Sequence, residues 1–228
     1  MAIKTTKNGA VPKNRIAAIG DKKAETVVIA PLKQKTIKVQ LTGLAPYMQL
    51  RFSEKAKAKM MQTQAAGGQA KSKRVREARN YDEDYLGAMY KMKGINGIPA
   101  AAFRNACISA CKLVGFHMTR AKLSLFIEPD GFDDTDATPL VKIVGKPEKT
   151  IMPARNANGS CDLRVRPMWR EWSVTLRVRF DEGQFSPSDV VNLLVRVGAQ
   201  VGIGEGRPDS RSSNGLGHGL FEVNFAEE

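Results

Sequence analysis

The clearest regularity in the chain is an alternation of apolar and polar residues between Trp172 and Asp181. A period of two is typical of a β-strand that buries one face, and here Arg177 and Arg179 fall on the other face. We therefore predict a strand over this segment, with its polar face turned either to solvent or to a polymer. Weaker alternation and short apolar runs predict further strands over residues 36–44, 122–127, 140–144 and 220–225.

Two other segments repeat their apolar residues at the helical spacing of three and four. The first, residues 100–114, follows Pro99, which suits a helix start because an N–H would have no partner there. The second follows the cap residue Ser186 and ends at Gly198. The stripes expected to face a core are Phe103, Cys107, Cys111 and Val114 in the first helix, and Val190, Leu193, Leu194 and Val197 in the second.

The order of these elements predicts an α+β fold. Without two long insertions, the chain approximates strand, helix, strand, strand, helix, strand, which is a ferredoxin-like or RRM-like βαββαβ core. We place the insertions at residues 51–93 and 145–168, both rich in basic residues and the second irregular. Residues 1–35 are predicted to form a basic N-terminal arm. Residues 36–228 are predicted to form a single domain with a C-terminal glycine-rich loop.

Charge narrows the choice of partner. The 228 residues include 36 Lys and Arg against 23 Asp and Glu, which gives a net charge of +13 at pH 7. A protein this basic usually meets a polyanion, so RNA and DNA come first and an anionic membrane surface second. No apolar run is long enough to cross a bilayer, the first residues do not resemble a secretory signal, and the three cysteines suggest reduced thiols. We therefore expect a cytoplasmic protein without a membrane partner.

The first insertion carries the densest positive patch. It consists of Lys71, Lys73, Arg74, Arg76 and Arg79, and is followed by Tyr81, Tyr85 and Tyr90. Basic residues near aromatic rings suit a single-stranded nucleic acid, with charge for phosphates and rings for bases. The alternative is a solvated helix whose tyrosines pack on the domain. Both interpretations of the basic patch stay open, and packing is favoured for the tyrosines.

A loop with two glycine clusters lies between the second predicted helix and the last strand. The clusters are Gly202, Gly204 and Gly206, and Gly215, Gly217 and Gly219. Glycine lets another backbone approach closely, and exposed N–H groups can form an anion nest. Arg207 and Arg211 between the clusters can pair with phosphate. We predict a cradle for a nucleic-acid backbone, and Arg104 near the start of the first helix could also reach the ligand. His218 could touch a phosphate or cap the loop, although a purely structural role is favoured for it.

The position of this loop in the element order resembles that of the RAMP superfamily, the repeat-associated RNA-binding proteins of CRISPR systems. The chain resembles the backbone subunits of effector complexes, or a viral or exapted relative of them. Two further features carry this resemblance: the proline-started helix Ile98–Arg104 and the long basic insertion. The resemblance covers residues 36–225 with gaps at both insertions. It implies binding of a guide-type RNA through its phosphates, further copies of the chain along that RNA, other effector subunits and a target nucleic acid. It also implies a hairpin that kinks the strand, which residues 51–93 or 145–168 could supply.

Catalytic and metal sites find little support in the residue pattern. Only His117 and His218 could act as bases at neutral pH, and no nucleophile lies in a recognisable arrangement with either. Cys107, Cys111 and Cys161 lack the tight spacing of structural zinc sites. Asp130, Asp133, Asp134 and Asp136 lack a calcium-loop spacing and are predicted to form a solvated acidic loop. We therefore predict no cofactor and no metal, and favour a protein that is not an enzyme.

The leading hypothesis is a non-catalytic RNA-binding subunit. Three alternatives stay open: a single-stranded DNA-binding or annealing protein, a viral structural or assembly protein whose basic arm neutralises packaged nucleic acid, and an endoribonuclease that uses His218. Some members of the family that the chain resembles cut a target RNA with a loop aspartate. Asp82 or Asp84 could take that role here, although nothing in the sequence separates them from ordinary surface acids.

Overall fold

The structure is a computed structural model that describes residues 29–65, 67, 78–155, 161–210 and 216–224. The described elements lie in one compact unit, Leu32–Glu228. Its helices are α1 (Glu54–Ala65), α2 (Tyr81–Gly87), α3 (Ala100–Ala110), α4 (Met118–Ser124) and α5 (Pro187–Arg196). Its strands are β1 (Gln34–Gly43), β2 (Tyr47–Met48), β3 (Tyr90–Met92), β4 (Ile95–Pro99), β5 (Leu125–Glu128), β6 (Gly131–Phe132), β7 (Pro139–Lys142), β8 (Pro147–Arg155), β9 (Cys161–Trp169), β10 (Ser173–Asp181) and β11 (Phe221–Asn224).

Helices and strands are mixed along the chain, which confirms the α+β class. The main sheet has four antiparallel strands in the order β11-β1-β10-β5. Strands β1 and β10 pair over their whole length, from Gln34 opposite Asp181 to Thr42 opposite Ser173. Helix α3 precedes β5 in the chain and α5 precedes β11.

The core lies between the main sheet and the helices α3 and α5. Burial alternates along β10 as predicted, with Val174, Leu176, Val178 and Phe180 fully buried. The predicted cap of α5 is confirmed, because the Ser186 hydroxyl accepts a hydrogen bond from the amide of Asp189 at 3.2 Å. In the other predicted helix the α-helix ends at Ala110 and continues as a 3₁₀ turn. That change of winding leaves Val114 exposed, so its predicted place in the core stripe is wrong.

Two arginines on the open face of the main sheet contact other side chains of the protein. Arg177 forms an ion pair with Asp130 at 3.0 Å, and Arg179 donates to the Gln34 side chain at 2.8 Å. These two arginines therefore brace the sheet and the turn after β5.

Two predicted strands differ in extent or partner. Residues 122–124 belong to α4, and the strand begins only at Leu125. Strand β7 pairs with β4 and β6 in a separate sheet, ordered β3-β4-β7-β6. Strand β5 is therefore the edge of the main sheet, and β7 does not pair with it.

Both insertions contain regular structure. Within residues 51–93 the structure describes α1, which buries none of its residues, together with α2 and β3. Residues 147–155 and 161–169 pair as the two long antiparallel strands of a hairpin, β8 and β9, so the prediction of irregular structure there is wrong. Strand β2 joins this hairpin to give the third sheet, β2-β9-β8. Over the described part of the chain, no helix combines the length and the apolarity needed to cross a membrane.

Candidate nucleic-acid interface

A polar cleft of ≈ 570 Å³ lies beside the glycine-rich loop; we call it the loop cleft. One wall is α3 and the opposite wall is the loop from Ile203 to Ser210. The loop after β2 and the strands β3 and β9 close the remaining sides. The polar side chains that line it include Asn105, Ser109, Arg164, Arg207 and Asp209.

The glycines fold the loop back onto its own protein. Gly204 has φ +79°, and a Cβ added there would lie 2.5 Å from the Met48 carbonyl oxygen. Gly219 has φ +70°, and a Cβ added there would overlap the Ile203 carbonyl oxygen. At these positions glycine is needed because two stretches of protein main chain approach each other.

The loop amides also find partners inside the protein. Ile203 N–H donates to Gly219 at 3.1 Å, Glu205 N–H to Met48 at 2.9 Å, and Gly219 N–H to Pro46 at 2.8 Å. Gly202 N–H likewise donates to Val197 at 2.8 Å. These four donors are not available to a ligand.

A buried ion pair ties the loop to β9. The Arg166 side chain is 10% exposed and the Glu205 side chain 27%, and the guanidinium makes two contacts with the carboxylate, one of them Nη2 to Oε1 at 3.3 Å. A third donor, Nη1, bonds the Val165 carbonyl at 2.9 Å. Removal of either partner would leave a poorly solvated charge, so this pair fixes the loop against the hairpin.

Two predicted site residues, Gly204 and Arg207, line the loop cleft, and Arg207 contributes the charged side chain. Its guanidinium donates to the Gly204 carbonyl at 3.0 Å and forms no ion pair with any residue that the structure describes. Its charge is therefore not neutralised by a described carboxylate. Arg164, from β9, lines the same cleft.

A second cavity of ≈ 470 Å³ adjoins the loop cleft and shares Leu50, Tyr90 and Arg164 with it. The Arg51 guanidinium lies 5.3 Å from the centre of the Tyr90 ring and pairs with Asp133 at 2.8 Å. This charge is internally compensated, and the Tyr90 ring remains at the junction of the two cavities.

Arg79 lines the second cavity at the end of the predicted positive patch. It pairs with Asp162 at 2.9 Å, and this hydrogen bond lowers the pKa of Asp162. The other members of the patch, Lys71, Lys73, Arg74 and Arg76, lie outside the described residues. Arg211 and Gly215 of the loop also lie outside them.

The tyrosines of the insertion take different positions. The Tyr85 hydroxyl donates to the Pro147 carbonyl at 3.1 Å, so this ring packs on the hairpin. Tyr81 is exposed, and Tyr90 is half-buried. The packing interpretation therefore holds for Tyr85, whereas part of the Tyr90 ring is open to the two cavities.

Arg104 points away from the loop cleft. Its Nε donates to the Leu125 carbonyl at 3.0 Å, and its guanidinium lies 5.0 Å from the centre of the Phe126 ring. The next residues on the opposite side of α3, Asn105 and Ser109, face the cleft instead. Asn105 and Ser109 are small polar residues four positions apart, and this spacing in the sequence could have indicated that they share one face of the helix.

His218 belongs to the packing of the loop. Its amide donates to the Gly206 carbonyl at 3.0 Å, and its Nδ1 is buried without a hydrogen-bond partner among the described residues. Burial lowers the pKa of His218, and the backbone of Glu205, followed by its carboxylate, opposes this shift. Gly217, by contrast, has open space beside it.

The other candidate reactive groups are engaged elsewhere. Asp82 pairs with Lys149 at 2.6 Å, and Asp84 lines the second cavity. Burial raises the pKa of the Cys107 thiol to about 12. Among the residues that the structure describes, no group of three or more His, Cys, Asp or Glu could hold a metal.

The acidic loop after β5 is a structural element. Asp133 is 5% exposed, so the prediction that it is solvated is wrong. Its carboxylate accepts hydrogen bonds from Arg51 and from the amides of Lys91, Thr135 and Asp136. These donors offset the loss of hydration and lock the loop against β3.

Comparison with known proteins adds no assignment: no protein-family model matches the chain, and no curated protein matches it in sequence.

Proposed function

We propose that this chain is a non-catalytic RNA-binding subunit that holds the phosphate backbone of a guide-type RNA in the loop cleft and oligomerises along that RNA. The observation that carries the proposal is Arg207, a guanidinium that faces a polar cleft without a described acidic partner. Guanidinium groups bind phosphate well because two N–H donors match two oxygens. The net charge of +13 favours the approach of such a polyanion.

We infer further that the main sheet with α3 and α5 is a ferredoxin-like core. Support comes from the strand order β11-β1-β10-β5, in which the first and third core strands are central and every pairing is antiparallel. The glycine-rich loop lies between α5 and β11. This is the position that the resemblance to the RAMP superfamily requires.

The glycines have an indirect role in this proposal. They let the loop pack tightly on β2 and on itself, which directs Arg207 toward the cleft. The phosphate contacts come from Arg207 and Arg164, and Tyr90 offers a ring on which a base can stack where the two cavities meet.

Salt-dependent binding of single-stranded RNA tests this proposal. If Arg164, Arg207 and Arg211 each neutralise one phosphate, log affinity should fall with log salt concentration with a slope of about −2. Fluorescence anisotropy of a labelled oligonucleotide measures the slope, and sedimentation on a long RNA reports whether several copies bind one strand. Failure to bind any single-stranded RNA at low salt would refute the proposal.

A second candidate, an assembly protein, is favoured by α1. This helix buries none of its twelve residues and exposes Met60 and Met61 by more than half of their surface. An exposed helix of this kind suits a surface that another protein subunit covers. Assembly of nuclease-treated protein into defined particles would support this candidate, whereas a monomer that assembles only on RNA would favour the first.

A further inference from the structure

The loop cleft contains one carboxylate whose charge is not compensated by a described cation. Asp209 projects from the loop, and its Oδ2 accepts a hydrogen bond from the Ser109 hydroxyl at 2.6 Å. Asp209 forms no ion pair with any residue in the described ranges. The bond to Ser109 crosses the cleft from α3 to the loop, so it holds the carboxylate on the cleft wall.

A carboxylate in this position opposes phosphate binding, because like charges repel. The neighbouring Glu205 repels phosphate less strongly, since Arg166 neutralises its charge. Asp209 therefore suits a part of the ligand that donates a hydrogen bond. On a nucleic-acid backbone the only such group is the ribose 2′-hydroxyl, which RNA has and DNA lacks.

We propose that Asp209, positioned by Ser109, accepts a hydrogen bond from a ribose 2′-hydroxyl and makes the loop cleft select RNA over DNA. This inference rests on the proposed function and adds the basis of its specificity. Arg207 lies two residues before Asp209 in the same loop. The loop therefore presents a cation for a phosphate and an anion for a sugar close together, which is the alternation found along an RNA backbone.

Three oligonucleotides of one length separate the hydroxyl from every other feature of the ligand. Oligouridine carries the 2′-hydroxyl, its 2′-fluoro counterpart keeps the RNA-like sugar pucker without the donor, and oligodeoxyuridine lacks both. Uracil has no exocyclic amino group, and its remaining donor, the N3–H, is present in all three oligonucleotides and cannot account for a difference between them. EDTA in the buffer prevents a divalent cation from bridging Asp209 to a phosphate.

The intact chain should bind oligouridine about tenfold more tightly than the 2′-fluoro polymer, because a hydrogen bond to a charged acceptor is lost. Asp209→Ala should bring this ratio close to one and strengthen binding of the 2′-fluoro polymer, because a repulsive charge is removed. Ser109→Ala should lower the ratio part of the way, since the carboxylate loses its support.

Glu171→Ala is the matched control. Glu171 is exposed and does not line the cleft, so its removal changes the net charge by the same amount. This variant should strengthen binding of all three polymers by one common factor and leave the ratio unchanged.

Equal binding of oligouridine and its 2′-fluoro counterpart by the intact chain would overturn the inference and leave the proposed function standing. An unchanged ratio in a folded Asp209→Ala variant would also overturn it. If none of the polymers binds, the proposed function fails and the inference fails with it.

Discussion

The loop glycines differ in how closely the rest of the protein approaches them. A Cβ on Gly219 would overlap the Ile203 carbonyl oxygen, whereas nothing lies within 4 Å of a Cβ on Gly217. Both have a left-handed backbone, with φ of +70° and +67°. The cost of placing alanine in that conformation is therefore common to the two, and the difference between them reports close packing alone.

This contrast predicts unequal losses of stability. Gly217→Ala should lower the free energy of unfolding by about 1 kcal/mol, the cost of a left-handed alanine. Gly219→Ala should lower it by about 2 kcal/mol more, because the main chain at Ile203 must move. Urea denaturation of the two variants measures both values, and equal losses would show that the loop does not pack on itself as described.

His218 should make stability depend on pH. Burial lowers its pKa in the folded state, so at mildly acidic pH the unfolded chain binds more protons than the folded protein. Its contribution is complete above the unfolded pKa of about 6.5 and is lost as the pH falls below that value. Between pH 7 and pH 5 the intact chain should therefore lose more stability than His218→Gln. Parallel pH profiles of the two proteins would contradict this.

The elements around the cleft are held in place by contacts between segments far apart in the chain. The Arg166–Glu205 pair joins β9 to the loop, and the Ser109–Asp209 bond joins α3 to the loop. These contacts fix the two walls at a defined separation. The cleft is therefore a property of tertiary packing, since no single element contains it.

The ion pair between Arg166 and Glu205 can be tested by a double-mutant cycle. Arg166→Met should destabilise the fold by about 2–3 kcal/mol, because a poorly hydrated carboxylate is left behind. The double variant Arg166→Met, Glu205→Gln should recover about 1 kcal/mol or more of that loss. Additive effects in thermal or urea unfolding would show that the two side chains are not coupled.

The sequence predicted the elements whose periodicity is strong and local. Strand β10 alternates over nine residues, and α5 carries both a capping box and a regular stripe, so each lies close to where it was expected. The family resemblance offered residues 145–168 as a possible hairpin, but the residue pattern did not predict β8 and β9, because prolines and charged residues blur the alternation. Strand β7 was predicted, but its partners β4 and β6 were not, since pairing depends on segments distant in the chain.

In the candidate site, too, local features were predictable and contacts between distant segments were not. Arg207 was found because glycine clusters flank it in the sequence. Asp209 and Ser109 were missed because their contact joins residues one hundred positions apart. Arg104 was expected near a ligand, yet the phase of α3 turns it to the backbone of β5. A local sequence pattern does not show which side of a helix will face a loop that is distant in the chain.

Across the whole molecule, some arginines have an acidic partner among the described residues and others do not. On the open face of the main sheet and around the second cavity, Arg177, Arg51 and Arg79 each have an acidic partner. Arg207 in the loop cleft has none among the described residues. An excess of thirteen positive charges would draw a polyanion to the surface in general, and the cleft would decide where it is held.

The most direct measurement is the affinity of the Arg207→Ala, Arg211→Ala double variant for a single-stranded RNA. Its control is Arg120→Ala, Arg196→Ala, which removes the same charge from two exposed residues outside the loop cleft. We predict that the loop variant binds at least tenfold more weakly than the intact chain, a loss of about 1.4 kcal/mol, while the control loses much less. Equal affinities of the two folded double variants would contradict a phosphate-binding role for the loop cleft.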